Sequence, residues 1–314
     1  MNGNPKISVV MPVYNSEEFL TEAIESVLNQ TYKDFEFLIL YDESPDSSSE
    51  IIQKYVTLDS RVKLVECQGT GILGALNKGI KLSKGDFIAR MDADDICLPE
   101  RFEKQIKHMK EGSLDICGGD FIIINNNKIP IKHVKVPKTK SEIILTMGFS
   151  VPFAHPTVMM RKEFLSKNKL LFGSNGKRYA EDLDMWIVML SKGAIFGNLN
   201  EEVLKYRILK TSLSRVNNKE ISHEIKLGLN SFINQNQALY KNSLLEVLKE
   251  DDLSNDQQKM ALRGLFKYLT VEVQIPLVIK TLRKVNLVNF LFVCLSEVKE
   301  RIKVICYQPF IFLR

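Results

Sequence analysis

Phe87-Ile88-Ala89-Arg90-Met91-Asp92-Ala93-Asp94-Asp95 is the stretch that decides the fold. Phe87–Met91 is short and apolar apart from Arg90, which is the pattern of a buried strand. It runs straight into three carboxylates. Working back towards the N-terminus, Val62–Glu66, Phe35–Leu40 and Ile7–Met11 are further strand-like runs. Helical patterns separate them. Phe19, Ala23 and Val27 recur at four-residue spacing, and Glu50–Tyr55 and Ile72–Leu82 are also helical. Strands alternating with helices imply a mostly parallel sheet with right-handed crossovers. Ligands of such sheets sit beyond the carboxyl ends of the strands. The tips to inspect are therefore Pro12–Asn15, Tyr41–Asp46, Cys67–Gly74 and Asp92–Asp95.

Working forward, Pro99 opens a helix reaching about Lys110. Asp115–Ile124 and Lys128–Ile131 flank an Asn-rich turn and read as a hairpin. A helix near Ser141–Met147 and a strand over Phe153–Met160 follow. Glu181–Ser191 is a helix with Leu183, Ile187 and Leu190 on one face. After about Arg215 only helices remain. Ile221, Ile225, Leu229 and Phe232 form one stripe, Ser254 and Gln257 make a capping box before Ala261–Val273, and Pro276 starts a last helical region. This divides the chain into an α/β domain over residues 1–215 and a helical region over 216–314.

Composition narrows the class. Of 314 residues, 45% are apolar and 26% charged, which suits a soluble globular protein with a sizeable core. The net charge of +5 is too mild for a dedicated nucleic-acid binder. The five cysteines (Cys67, Cys97, Cys117, Cys294, Cys306) lack CxxC spacing and read as small buried residues. The polar start and the lack of a bilayer-length apolar run give a cytoplasmic expectation.

Two acidic groups carry chemistry. Asp92, Asp94 and Asp95 at a strand end repel one another and call for a counter-charge. A hard divalent cation, Mn²⁺ or Mg²⁺, supplies it and suits one or two carboxylates plus phosphate oxygens. A solvated turn of N-capping acids ahead of Pro99 is the bland alternative. Arg90, directed away from Met91, is a second candidate neutraliser. The other group, Glu181-Asp182-Leu183-Asp184, opens a helix, where acids are favoured by the dipole. One of these carboxylates could also take a proton from an attacking hydroxyl.

Gly69-Thr70-Gly71-Ile72-Leu73-Gly74 matches G-x-G-x-x-G, the dinucleotide fingerprint. It follows the third strand rather than the first, and its downstream acid belongs to a triple cluster. A tight turn is the better account.

Taken in order, these motifs resemble a family 2 glycosyltransferase with the GT-A fold, of the kind that builds bacterial surface polysaccharide. Ser8-Val9-Val10-Met11-Pro12-Val13-Tyr14-Asn15 is similar to that family's first strand and nucleotide loop, and Ser26–Tyr32 to its first helix end. Asn77 and Gly79–Asp95 resemble the approach to its D-x-D motif. Ala180–Trp186 resembles its acidic catalytic motif, and His155-Pro156-Thr157 and Tyr206-Arg207 through Ser212-Leu213-Ser214 match further patterns. The likeness covers about residues 5–215.

The resemblance implies a Rossmann-like sheet flanked by helices, with a C-terminal helical extension. It implies that Pro12, Val13, Tyr14, Asn15, Asp42, Asn77, Arg90, Asp92, Ala93 and Asp94 line the donor site. Asp94 and Asp92 would hold the metal, and Asp182, then Glu181, would act as base. A single base opposite the leaving group implies inversion. The donor would be a UDP-sugar carrying a hexose or N-acetylhexosamine, and the acceptor a saccharide in O-antigen, capsule or lipooligosaccharide synthesis. The family often has two acids followed by Gly-Ser after the second strand. Here Tyr41-Asp42-Glu43-Ser44 keeps only the second acid, which weakens the UDP assignment.

Other residues keep two readings. His155 is a structural histidine or an acceptor contact, and Trp186 packs on its helix or stacks on a sugar. Arg207 binds phosphate or makes a salt bridge. Residues 271–314 carry seven Lys/Arg against three Asp/Glu and are rich in apolar residues. They form either a packed helix with a basic face or an interfacial segment attracted to anionic lipid. The second case makes a lipid-linked acceptor at the inner leaflet natural. A sugar-phosphate nucleotidyltransferase and a non-catalytic carbohydrate-binding protein are the rival classes. The first lacks its basic Gly-rich loop here, and the second leaves Asp92, Asp94 and Asp182 unexplained.

Overall fold

The computed structural model describes residues 6–174, 176, 180–209, 218–269 and 275–306, with backbone alone at 218, 275 and 298–306. Ser212–Ser214, the expected boundary at residue 215 and parts of 271–314 lie outside the described residues. The chain divides into two compact units, Met1–Lys140 with Val151–Gly228 and Ser141–Ser150 with Leu229–Arg314. The second unit thus starts later than residue 216 and takes in a short earlier segment.

In the first unit, β1 (Ile7–Val13), α1 (Glu17–Leu28), β2 (Phe35–Tyr41), α2 (Ser48–Leu58), β3 (Val62–Glu66), α3 (Gly71–Leu82) and β4 (Phe87–Arg90) alternate along the chain. β1 runs parallel to β2 and β4, Ile7 pairing with Phe35 on one side and Phe87 on the other. β3 continues the parallel set beside β2. Helices cover such strands on both faces, so Ile7, Val9, Val10, Met11 and Val13 are all buried. The strand order β3-β2-β1-β4 reverses direction at β1. That reversal opens a crevice beyond the carboxyl ends of β1 and β4. Tyr14-Asn15 and Asp92-Asp94 follow those two ends.

Beyond β4 the sheet becomes mixed. The further elements along the chain are β5 (Ile96–Cys97), α4 (Arg101–Glu111), β6 (Ile116–Ile124), β7 (Pro130–Val134), α5 (Lys140–Thr146), which from Ser141 on belongs to the second unit, β8 (Met159–Arg161), α6 (Lys162–Lys167), α7 (Glu181–Ser191) and β9 (Phe196–Arg207). β8 is antiparallel to β4 and to β6, and β9 is parallel to β6. β6 and β7 form the expected hairpin. Asn125 Oδ1 accepts from the N–H groups of Asn127 and Ile129 at 3.0 Å and shapes its turn.

Two strands differ from expectation. The strand expected over Phe153–Met160 is only three residues long, because His155–Thr157 forms a 3₁₀ turn with Pro156 in it. Proline has no N–H to give a ladder. β9 is twelve residues long and carries Asn198, Asn200, Glu201 and Glu202 in its middle, so no apolar run announces it. Asn198 Oδ1 accepts from Gly118 N–H at 2.8 Å, and the β6–β9 register shifts at Asp120.

The second unit is helical. α8 (Asn218–Gln235) leads into it, followed by α9 (Gln237–Val247), α10 (Asn255–Tyr268), α11 (Ile275–Arg283) and α12 (Leu287–Cys306). The capping box opens α10, with Ser254 Oγ accepting from Gln257 N–H at 3.2 Å. Leu229 and Phe232 of the α8 stripe are buried. Tyr240 is fully buried and donates to the Leu145 carbonyl at 3.0 Å. Gly148 has room for no Cβ because the Tyr240 ring occupies that space. Among the cysteines, Cys67, Cys97 and Cys117 are buried free thiols and Cys294 is half-buried.

Candidate active site

The acid turn is built around a buried arginine. Arg90, the last residue of β4, is 4% exposed and ion-pairs through Nη1 with Asp92. Burial works against its charge, but Asp92, Asp95 and Glu181 together outweigh that and strengthen it. Carboxylate oxygens of Asp92, Asp94 and Asp95 lie within 4.8 Å of one another. Burial, then Asp92, pushes Asp94 up to about 7. Burial and the two neighbouring acids also hold Asp95 well above the carboxylate range. Asp95 Oδ2 is buried and has no hydrogen-bond partner. Of the three acids only Asp92 ion-pairs with Arg90. The clustered carboxylates and the open oxygen fit a hard divalent cation, which would displace the protons that burial holds there, with Asp94 and Asp92 as its most accessible ligands.

Two more buried arginines fix the turn. Arg207, at the end of β9, donates from Nε to the Asp94 carbonyl at 2.8 Å and from its own N–H to Asp95 Oδ1 at 2.8 Å. Its Nη1 reaches the Asn126 carbonyl at 2.8 Å and its Nη2 reaches Glu22 at 2.5 Å. The guanidinium lies 4.3 Å from the centre of the Phe19 ring. Arg207 is therefore a structural anchor, neither a phosphate ligand nor a surface salt bridge. Arg101, on α4, donates from Nη2 to the Arg90 carbonyl at 2.9 Å. Neither Glu22 nor Arg101 was legible as a site residue, since each acts through a partner distant in sequence. Tyr206 also faces the acids. Burial, then Asp92, Asp95 and Asp94, pushes its hydroxyl far up.

The second acidic group is brought to the same place. Ala180 N–H donates to Glu224 of α8 at 3.1 Å and fixes the start of α7. Glu181 and Asp182 are half-buried there. Burial, then Asp182, raises Glu181 to about 7, with Arg90 and Asp92 close enough to act on it. Burial raises Asp182 as well, against a 2.7 Å bond accepted from Leu183 N–H and the pull of Arg90. The charge of Arg90 thus acts on both acidic groups. A carboxylate held partly protonated near neutral pH is suited to accept a proton from a hydroxyl.

Of the residues expected at the donor site, Tyr14 and Asp42 line an open cleft together with Glu43, Gln68 and Gly69. Tyr14 is 64% exposed, and Asn15 adopts φ +50°, a left-handed conformation that asparagine tolerates. The glycine loop is folded on Asp42, whose two oxygens accept from Gly69 N–H and, at 3.1 Å, from Gly71 N–H. Gly69 and Gly71 have φ +72° and +63°, so the turn account of these glycines holds.

Several expected contacts need correction. Asn77 spends its amide on the backbone of Phe172, at 3.0 and 2.8 Å, and so positions that segment. The Ala93 side chain belongs to the core, which leaves only its main chain to a ligand, and the Val13 side chain does too, in keeping with the main-chain contact expected of Pro12–Val13. Trp186 is 0% exposed, with Phe153, His155 and Phe172 around it, and offers no face to a sugar. His155 stacks in that cluster, 5.2 Å from Phe172, and its Nε2 is buried without a partner. Burial, then Arg90, pushes it well below the usual histidine range, so it is neutral.

The chain matches the family model "Glycosyl transferase family 2" over residues 8–168. It is 35% identical over 212 residues to the O-antigen biosynthesis glycosyltransferase WbnJ of Escherichia coli, covering 67% of this chain and 82% of that one. Among solved structures, S. aureus TarS 1–349 in complex with UDP-GlcNAc aligns with TM-score 0.55 and 18% identity, covering 89% of this chain and 79% of that one. The mannosyltransferase PcManGT from Pyrobaculum calidifontis, in complex with GDP-Man and Mn²⁺, aligns with TM-score 0.54 and 14% identity, covering 88% and 78%. The protein belongs to glycosyltransferase family 2 and is a transferase with the GT-A fold.

Proposed function

We propose that the chain is an inverting, metal-dependent transferase. It moves a hexose or N-acetylhexosamine from a UDP-sugar to a saccharide acceptor, carried on lipid, in surface-polysaccharide synthesis. The observation that carries this reading is that Arg90, ion-paired with Asp92 of the acid turn, also acts electrostatically on Glu181 and Asp182. Asp182 takes the proton of the acceptor hydroxyl, and that oxygen attacks the anomeric carbon as the bond to the nucleoside diphosphate breaks on the opposite face. Attack from that side inverts the configuration. Mn²⁺ or Mg²⁺ held by Asp94 and Asp92 would supply charge to the diphosphate leaving group. Tyr14 and Asp42 line the cleft assigned to the base, and Asn15 follows Tyr14 in the chain. Oxygens of Asp42 already accept two loop N–H groups, and their remaining lone pairs would accept from a pyrimidine N–H.

The O-antigen role of WbnJ and the UDP-GlcNAc held by TarS suit this donor and product. The GDP-Man held by PcManGT keeps a second nucleotide in the test. The enzyme would work at the inner face of the membrane, in contact through 271–314. Among the described residues no helix is long and apolar enough to cross a bilayer. The test is release of nucleoside diphosphate from UDP-, GDP- and dTDP-sugars with Mn²⁺ or EDTA, with and without a lipid-linked saccharide. Release from one UDP-sugar, lost in EDTA, is expected. Metal-independent release, or release from GDP-sugars alone, overturns the reading.

A further inference from the structure

α11 and α12 each have a packed face and a bare one. On α12, Asn289 and Val293 are buried, and Asn289 Nδ2 donates to Asn255 and Gln258 of α10 at 3.0 and 2.9 Å. On its other side Leu287, Val288, Leu291, Phe292 and Leu295 are between 51% and 74% exposed. At 3.6 residues per turn these five positions span about 140° of the helix. On α11, Leu277 and Thr281 are buried while Ile279 and Leu282 are 45% and 43% exposed. Seven large apolar side chains within seventeen residues are bare, more than scattered surface apolars explain.

The charge on the two helices is of one sign. Residues 275–296 contain Lys280, Arg283 and Lys284 and no acid, and Lys284 alone of the three faces an acid, Asp251 at 3.9 Å, among the described ion pairs. Pro276, Ile279, Lys280, Arg283 and Lys284 line a shallow open groove with an apolar floor and a basic rim. That pairing suits a headgroup phosphate above acyl chains. A second copy of the same surface would set like charges against like. We propose that the exposed faces of α11 and α12 form a docking surface for an anionic phospholipid bilayer, with Val288, Leu291 and Leu295 entering the apolar boundary and Lys280 and Arg283 meeting headgroup phosphates. This deepens the reading of a membrane-borne acceptor and rests on it for its purpose, while its test needs no turnover.

The full chain is sedimented with vesicles of phosphatidylcholine, alone or mixed with phosphatidylglycerol, and its mass is measured by light scattering without lipid. The anionic vesicles should capture the wild type in a salt-sensitive way and the neutral ones much less. Val288→Glu/Leu291→Glu should lower capture by about tenfold or more, and Lys280→Gln/Arg283→Gln should weaken it on anionic vesicles only. Both variants should keep the wild-type melting temperature and lipid-free release of nucleotide. If release is absent in every form while capture follows this pattern, the catalytic reading fails and the docking surface stands. Equal capture of wild type and Val288→Glu/Leu291→Glu, no capture at all, or a dimer that this variant dissolves overturns the proposal.

Discussion

Arg207 Nε donates to the main-chain carbonyl of Asp94 at 2.8 Å, tying the end of β9 to the acid turn after β4. These residues are 113 positions apart, and the bond is one of several from the same buried guanidinium. It holds the main chain, which leaves the Asp94 carboxylate to a ligand.

Removing that anchor should cost stability. Arg207→Ala strands the Asp94 and Asn126 carbonyls and leaves Glu22 without its guanidinium, a loss of about 3–5 kcal/mol. Arg207→Lys keeps the charge without the fork and should cost about 1–3 kcal/mol. Urea denaturation of the three proteins checks both values.

The acid turn should report cation binding directly. Mn²⁺ at about 100 times its dissociation constant should stabilise the wild type by about 2.7 kcal/mol. Asp94→Ala should lose that gain and, with it, about 100-fold or more in turnover. Thermal shift with Mn²⁺ and with EDTA separates the two proteins.

Burial raises the carboxyls of both Glu181 and Asp182. Burial, then Asp182, raises Glu181 from 4.5 to about 7 in the folded protein. The proton is thus held more tightly when folded. This group's contribution to stability is complete below the unfolded value and is lost as pH rises through about 7. Turnover should follow the opposite course, low while Asp182 is protonated and rising at a pH above the usual carboxylate range. Glu181→Gln removes one charge of the pair and should move the acidic limb to lower pH. A rate profile with no such rise contradicts the assignment.

Trp186 should behave as core. Trp186→Ala should cost about 3–5 kcal/mol in stability, and Trp186→Phe should cost less while leaving the acceptor KM near the wild-type value. Melting temperature and acceptor saturation curves measure both.

The parallel half of the sheet was legible because its strands are buried on both faces and read as continuous apolar runs, Ile7–Val13 and Phe87–Arg90 among them. β9 was not, since Asn198, Glu201 and Glu202 satisfy a neighbouring segment or solvent rather than the core. Pro156 shortened an expected strand by withholding a ladder donor. Both acidic groups were visible as charge clusters, but only the structure brings Glu181 to Arg90. Arg207 was ambiguous because its partners, Glu22 and Asp94, lie far away in sequence. The exposed stripe of α12 was seen only as apolar composition, since which side it packs depends on Asn289 meeting α10.

The central claim is that the carboxylate of Asp182 acts on chemistry arranged by Asp92 and Asp94. The most direct measurement is turnover of Asp182→Asn at saturating donor and Mn²⁺, beside its donor affinity by calorimetry. The account predicts a fall of about 10²–10⁴ in turnover with donor affinity nearly unchanged. Turnover equal to wild type would contradict it.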